Sequence, residues 1–276
     1  GVRSGFRDLD RITSGFQKGD LIILAARPAM GKTAFALNIA HNAAYKADEP
    51  VAIFSLEMPA EQLVQRIICS MGSIEGSSMR TGEILKTNAN KYYAAAERVS
   101  KCNLYIDDSP GIKINDIVAK SRKLKTEHGL KMIVIDYLQL ITSSSKNRES
   151  RQQEVSEISR TLKALARELE VPIISLSQLS RSVEQRPNKR PMMSDLRESG
   201  AIEQDADIVS FIYREDYYKD PSEGEDNGLT EIIIAKHRNG ATGEVNLAFE
   251  KNYSRFSDLA QVGPDGTSEG VRDLRS

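Results

Sequence analysis

The sequence predicts an α/β domain of three layers, with a mostly parallel central sheet that becomes antiparallel near its C-terminal end. Short apolar, β-branched runs alternate with helix-length segments, the pattern of a sheet buried on both faces. The run "LIILAA" leads straight into "RPAMGKT", a phosphate-binding type of turn that opens a helix. Late in the chain, Asn239-Gly240 separates two strand-like runs, a hairpin signal because both residues tolerate positive φ.

The first strand, "LIILAA", is apolar at every position, so it has no solvent face, and a helix from about Lys32 to Tyr45 follows it. "VAIFSL" repeats the strand pattern and precedes the helix "AEQLVQRIICSM". Then come "LYIDD" (104–108), a helix near Ile114 to His128, "MIVID" (132–136), an amphipathic helix near Glu154 to Glu170, and "PIISLS". The last third changes character: "DIVSFIYR" is followed by the polar insertion "EDYYKDPSEGEDNG" and by "LTEIIIAKHRNGATGEVNLAFE". One domain over residues 1–259 accounts for this order, and 260–276 is expected to be a disordered tail.

A formal net charge of -1 leaves no global field to recruit nucleic acid or an anionic membrane, so any polyanion must be held by local patches. Cys69 and Cys102 are the only cysteines, too few and too far apart for a metal cage or a C-x-x-C motif. They imply a reduced, cytoplasmic setting. No apolar run approaches the ~20 residues needed to cross a bilayer, and no membrane partner is expected. The start has neither an initiator Met nor an apolar signal region, so the chain is expected to be a piece of a longer one.

In the phosphate-loop pattern G-x-x-x-x-G-K-[ST], Ala26 stands where the first glycine belongs. That glycine relaxes the backbone at the strand exit, and alanine serves if φ there is negative. The backbone N–H groups of Ala29, Met30, Gly31, Lys32 and Thr33 can point at phosphates at the helix N-terminus, with Ala34 completing the set. Lys32 is placed to reach the β and γ phosphates, and Thr33 to ligate Mg²⁺. Such a loop predicts a second carboxylate at a neighbouring strand end, and Asp136 supplies it as a holder of the Mg²⁺ water shell. Glu57, just past "VAIFSL", can orient an attacking water, although a solvated loop Glu ahead of a helix is an equal reading on residues alone. Gln178 ends another strand on that edge, where its amide can bond the γ phosphate.

Two loops carry basic excess. Residues 179–200 hold Arg181, Arg186, Lys189, Arg190 and Arg197 against Glu184, Asp195 and Glu198, a net of +2. Residues 143–151 hold Lys146, Arg148 and Arg151 against Glu149, again +2. Neither has an aromatic residue, which favours salt-dependent phosphate contacts over base stacking, with solvated mobile loops as the plainer alternative. Lys236 and Arg238 stand two apart at the end of a strand, beside the hairpin tip. In a monomer that tip is expected to be solvent-exposed, and in a ring or filament it can insert cations into a neighbour's nucleotide site.

The set "TSGFQKGDLIILAARPAMGKTAFALNIA", "FSLEMP", "MIVIDYLQLI", "SQLSR", "SDLRESGAIEQDAD" and "AKHRNGATG" resembles the C-terminal motor domain of the DnaB family of replicative DNA helicases, from about Gly1 to Phe256 and in family order. The resemblance implies a RecA-like P-loop NTPase core that forms a homo-hexameric ring. Such a ring hydrolyses ATP or another nucleoside triphosphate, with Mg²⁺, between subunits and translocates on single-stranded DNA. By similarity, Lys32 and Thr33 bind phosphates and metal, Asp136 is the Walker B acid, Glu57 the catalytic base and Gln178 the γ-phosphate sensor. Lys236 and Arg238 act on the adjacent subunit's nucleotide, and Arg197, Glu198 and Gly200 grip the DNA backbone. Primase and a helicase loader are the implied partners. The family's amino-terminal collar domain has no counterpart in these residues. Two other readings stay open: a RecA-like recombinase or filament ATPase, and an ATP-binding assembly scaffold that does not unwind DNA.

Overall fold

The computed structural model describes residues 1–82, 88–141, 150–199, 201–224, 227–262 and 268–269, of which 197–199, 261–262 and 268–269 are described by backbone alone. The strands are β1 (Leu21–Ala26), β2 (Val51–Ser55), β3 (Leu104–Asp107), β4 (Met132–Asp136), β5 (Ile173–Gln178), β6 (Ile208–Tyr213), β7 (Leu229–His237), β8 (Gly243–Glu250) and β9 (Arg255–Asp258). The helices are α1 (Arg7–Thr13), α2 (Lys32–His41), α3 (Ala60–Gly72), α4 (Gly76–Thr81), α5 (Ala89–Ser100), α6 (Ile114–His128), α7 (Arg151–Leu169) and α8 (Ile202–Asp205). All nine strands form one sheet in the order β3-β2-β4-β5-β1-β6-β7-β8-β9. From β3 to β6 the neighbours are parallel, and β6 through β9 are antiparallel.

The all-apolar strands are buried because helices cover both faces. Alternate residues of β1 enter opposite cores: Ile22, Leu24 and Ala26 on the face packed by α2 and α3, Leu21, Ile23 and Ala25 on the face packed by α6 and α7. From Ala34 to Ala40 every residue of α2 is buried, so this helix is core on all sides. Its Asn38 ties the distant β9 to it, accepting the Phe256 N–H at 2.7 Å and donating to the Ser254 carbonyl at 3.3 Å.

The expected helix to Tyr45 is two elements, because α2 ends at His41 and continues as a π-helical turn over Asn42–Lys46. The long amphipathic helix starts earlier than its apolar stripe suggests, at Arg151, because the Ser150 hydroxyl accepts the Gln153 N–H at 3.1 Å and caps it. Helices α1, α4, α5 and α8 were not expected from the sequence. The hairpin of β7 and β8 forms, but its tip is wider than an Asn-Gly turn and neither Asn239 nor Gly240 has positive φ. The ladder to β8 ends at Ile234–Gly243, while on its other edge β7 stays paired with β6 to its end, Lys236 opposite Val209 and His237 opposite Ile208. In the tail, Gln261–Val262 pairs antiparallel with Ser268–Glu269, and 263–267 and 270–276 lie outside the described residues. Among the described residues no helix is long and apolar enough to cross a membrane.

His41 closes α2 stacked on Tyr45, ring centroids 5.7 Å apart. Burial, reinforced by the Lys46 and Arg98 cations, holds its imidazole at a pKa of about 4 instead of 6.5. A depressed pKa means that the unfolded chain takes up a proton the folded one refuses, so the stability is complete above pH 6.5 and falls as the pH drops towards 4. At pH 5 the loss is expected to be about 2 kcal/mol. Urea unfolding of wild type and His41→Gln at pH 7.5 and pH 5 measures it: the variant should lose less stability between the two by about that amount.

Candidate active site

A parallel strand delivers its carboxyl end to one edge of the sheet, and β1, β2, β4 and β5 bring theirs to the same edge. There β1 gives way to the turn that starts α2. Ala26 is still strand, paired with Gln178, so no glycine is required at that position. The left-handed residues of the turn are Ala29 (φ 69°) and Gly31 (φ 88°). Gly31 is irreplaceable on a second count, because a Cβ there would lie 2.7 Å from Phe256 Cζ. Among the described residues, the N–H groups of Ala29, Met30, Gly31, Lys32 and Thr33 donate to no protein acceptor. Five donors converging at a helix N-terminus form a cradle for a polyanion such as a triphosphate.

The charged groups meet at this cradle. The Thr33 hydroxyl donates to Asp136 Oδ2 at 2.9 Å, while Asp136 Oδ1 is buried without a partner among the described residues. A buried carboxylate oxygen with free lone pairs beside a threonine hydroxyl suits a hard cation and its waters, so the residues fit Mg²⁺. Burial pushes the Asp136 carboxyl up, opposed by the Lys32 ammonium and the Thr33 hydrogen bond. Burial likewise pushes Lys32 down, opposed by Asp136 and Glu57. The Lys32 Nζ lies 4.6 Å from the Tyr137 ring centroid, a cation–π contact that holds it over the strand ends. Glu57 follows immediately on the Leu56 N–H, which donates to the Asp136 carbonyl at 2.8 Å, and its side chain is exposed at the mouth. Its charge acts on both Lys32 and Asp136, which places it in the site rather than on a remote loop.

Gln178 closes β5 beside Ala26, held by a residue that sequence reasoning missed. Gln139 accepts the Gln178 N–H at 3.3 Å and donates to the Gln178 carbonyl at 3.1 Å, which fixes the Gln178 main chain at the strand end. Arg27 was missed as well. Buried inside the phosphate turn, it donates to the Leu179 carbonyl at 2.6 Å and pairs with Glu184 at 3.2 Å. It thereby ties the turn to the loop after β5.

That loop is exposed at several residues, Arg181 and Asn188 among them, but it is not freely basic. Arg186 pairs with Asp195, and Arg190 pairs with Glu231 and Glu244 on the β7–β8 hairpin, so two of its cations are spent on its own architecture. Arg197 and Glu198 belong to the short 3₁₀ segment Met193–Ser199 with their side chains outside the described residues, and Gly200 lies outside them entirely. Lys146, Arg148 and Glu149 of the other loop also lie outside, while Arg151 is bound to the Gln139 carbonyl and to Glu154.

Lys236 and Arg238 sit at the opposite edge of the sheet. Arg238 pairs with Asp207 at 2.9 Å, and Asp207 accepts the N–H of Leu21, where β1 begins. The phosphate turn starts where β1 ends, roughly 20 Å away at the strand rise. The tip, residues 238–242, is exposed as expected, and at its base Lys236 donates to the Glu203 carbonyl at 2.6 Å and Arg238 to the Gln204 carbonyl at 2.9 Å, both at α8. No local pattern announces Asp207, Gln139 or Arg27, because the partners just described for them are 31 to 186 residues distant. Their one sequence signal is that each flanks a strand.

The family model for the DnaB-like helicase C-terminal domain matches residues 1–258. The chain is 62% identical over 270 residues to the replicative DNA helicase DnaB of Geobacillus stearothermophilus, covering 96% of this chain and 59% of that one. Among solved structures it is similar to one described as an ATPase domain, at 46% identity and a TM-score of 0.88, covering 94% of this chain and 91% of the other. It is similar also to a DnaB-like replicative helicase described with its interactions with primase, at 46% identity and a TM-score of 0.89, covering 94% and 62%. The chain thus spans 59% of the length of the first of these relatives.

The two small residues of the turn should respond in opposite ways. Gly31→Ala combines a strained φ with a clash against Phe256 and is expected to cost about 1–3 kcal/mol and abolish stabilisation by Mg-ATP. Ala26→Gly, in an extended strand, should cost only about 0.5–1 kcal/mol and leave that stabilisation intact. Thermal melts with and without Mg-ATP separate the two.

Proposed function

The chain belongs to the DnaB-like helicase C-terminal domain family, and from that membership we propose that it is the ATP-driven motor of a replicative DNA helicase. The turn's N–H groups and Lys32 hold the triphosphate, and Thr33 with Asp136 would hold Mg²⁺, which would offset the charge of the phosphates. Glu57, exposed at the mouth and within the field of Lys32 and Asp136, orients the attacking water. Gln178 bonds the γ phosphate, and because Arg27 joins the phosphate turn to the loop after β5, loss of that phosphate is felt by residues 179–200.

The observation that carries the reading is the separation of Arg238 and Lys236 from their own phosphate turn, by the whole length of β1. Cations that cannot reach their own nucleotide but lie at the far edge suit a site completed by the next copy of the chain, as in a closed homo-hexameric ring. Single-stranded DNA in such a ring would be held by Arg197, Glu198 and the Gly200 amide, since Arg186 and Arg190 are already paired. Primase as a partner is supported by the solved relative described with it. A recombinase shares the phosphate site, but strand displacement tells the two apart, and a scaffold would bind ATP without turnover.

Single-stranded DNA is expected to stimulate hydrolysis, and Lys32→Ala to reduce both hydrolysis and displacement on a forked substrate to background. ATP binding that is indifferent to DNA and without turnover would favour the scaffold. Arg238→Ala should lower kcat about a thousandfold or more. Mixing Arg238→Ala with Lys32→Ala subunits should restore part of the ATPase, because each supplies what the other lacks. Mixed rings without recovery would count against action between subunits.

A further inference from the structure

Asp207, the residue before β6, is buried with both carboxylate oxygens committed. Oδ1 accepts Arg238 Nη1 at 2.9 Å, and Oδ2 accepts the Leu21 N–H at 2.8 Å and Lys163 Nζ at 2.7 Å. Its main chain is locked as well, donating to the Leu21 carbonyl at 2.9 Å and accepting the Arg238 N–H at 2.8 Å. None of these contacts belongs to the phosphate turn.

We infer that Asp207 is the positioning residue for Arg238, fixing the direction in which the guanidinium leaves the sheet edge so that it meets the neighbouring copy's nucleotide. This rests on the proposed action of Arg238 between subunits. A guanidinium has five N–H donors in a rigid plane, and fixing two of them sets the direction of the rest. Here one goes to Asp207 and one to the Gln204 carbonyl. The exposures match that division of labour: the Asp207 side chain is 4% exposed and that of Arg238 38%, so the plane is anchored inside and its remaining donors face outward.

A carboxylate against a finger arginine would ordinarily cancel the charge the finger must deliver. Lys163 prevents that. Its ammonium sits on the other carboxylate oxygen and is itself held by the Gly19 carbonyl at 2.7 Å. Asp207, Lys163 and Arg238, the three groups bonded directly to one another, together carry a net +1. Through Leu21 the same carboxylate also grips the start of the strand whose far end carries the chain's own phosphate turn. Each finger is thus mounted on the strand that holds its own subunit's nucleotide.

The test is ATP hydrolysis by the full chain, with saturating single-stranded DNA and varied ATP. Asp207→Asn keeps the shape and the acceptor for Leu21 but loses the charge. It should lower kcat about tenfold to a hundredfold, as loss of a supporting partner does elsewhere, with KM within about twofold of wild type. Mixed with Lys32→Ala subunits, whose Asp207 and Arg238 are intact, it should regain activity. A lowered kcat that mixing does not restore would place the effect in the subunit's own phosphate turn, through Leu21, and overturn the inference. An unchanged or raised kcat would also overturn it. Arg238→Ala run in parallel separates the two levels: wild-type kcat there sinks the between-subunit reading itself, whereas its loss beside an unaffected Asp207→Asn sinks only the positioning role. Should Asp207→Asn fail to fold, Lys163→Gln decides. Leaving the carboxylate uncompensated should lower kcat severalfold with recovery on mixing, and a wild-type kcat would refute the role.

Discussion

A parallel sheet covered by helices on both faces has no solvated face on which to place polar groups. Its strands must be apolar from end to end, and charge can appear only where they start or stop. The rest of this molecule follows from that constraint. At the carboxyl edge, the ends of β1, β2, β4 and β5 supply the phosphate turn, Glu57, Asp136 and Gln178. At the amino edge, the starts of β1 and β6 and the end of antiparallel β7 gather Asp20, Asp207, Lys163, Lys236 and Arg238. The apolar interior between the edges keeps the two sets of charges apart and rigid with respect to one another.

The elements that join these edges are few and specific. Strand β1 carries the phosphate turn at one end and is hydrogen-bonded by Asp207 at the other. The loop after β5 is fastened to the phosphate turn by Arg27 and Glu184, and to the β7–β8 hairpin by Arg190 with Glu231 and Glu244. That hairpin ends in Arg238. The phosphate turn is therefore joined by side-chain contacts to the loop after β5 and, through it, to the hairpin that carries Arg238. In the proposed ring, each subunit's state would be read by its neighbour through such contacts.

Much of the phosphate site was legible because its signals are short in range. The turn, its glycine, the lysine, the hydroxyl and the helix N-terminus lie within a few consecutive residues, and burial of the preceding strand shows in its unbroken apolar run. Asp136, Glu57 and Gln178 could be placed because the βα repeat sends every strand end to one edge. Less legible was whatever depends on who sits opposite. The β7–β8 ladder stops at Ile234–Gly243, short of the Asn-Gly pair, while the other edge of β7 stays on β6 as far as His237. Two of the cations counted towards the loop's basic excess are neutralised by Asp195, Glu231 and Glu244, one near in sequence and two far away.

The sequence by itself determined the strand-and-helix alternation, the tight turn over residues 29–33 that opens α2 and the acceptability of Ala26, since these rest on local backbone preferences and on hydrophobic periodicity. Only the tertiary structure decided that Gly31 is demanded by Phe256, that Gln139 holds Gln178, and that Asp207 mounts Arg238 on the start of β1. Those partners are separated by 31 to 225 residues along the chain, and what brings them together is the packing of the whole sheet, which no local pattern encodes.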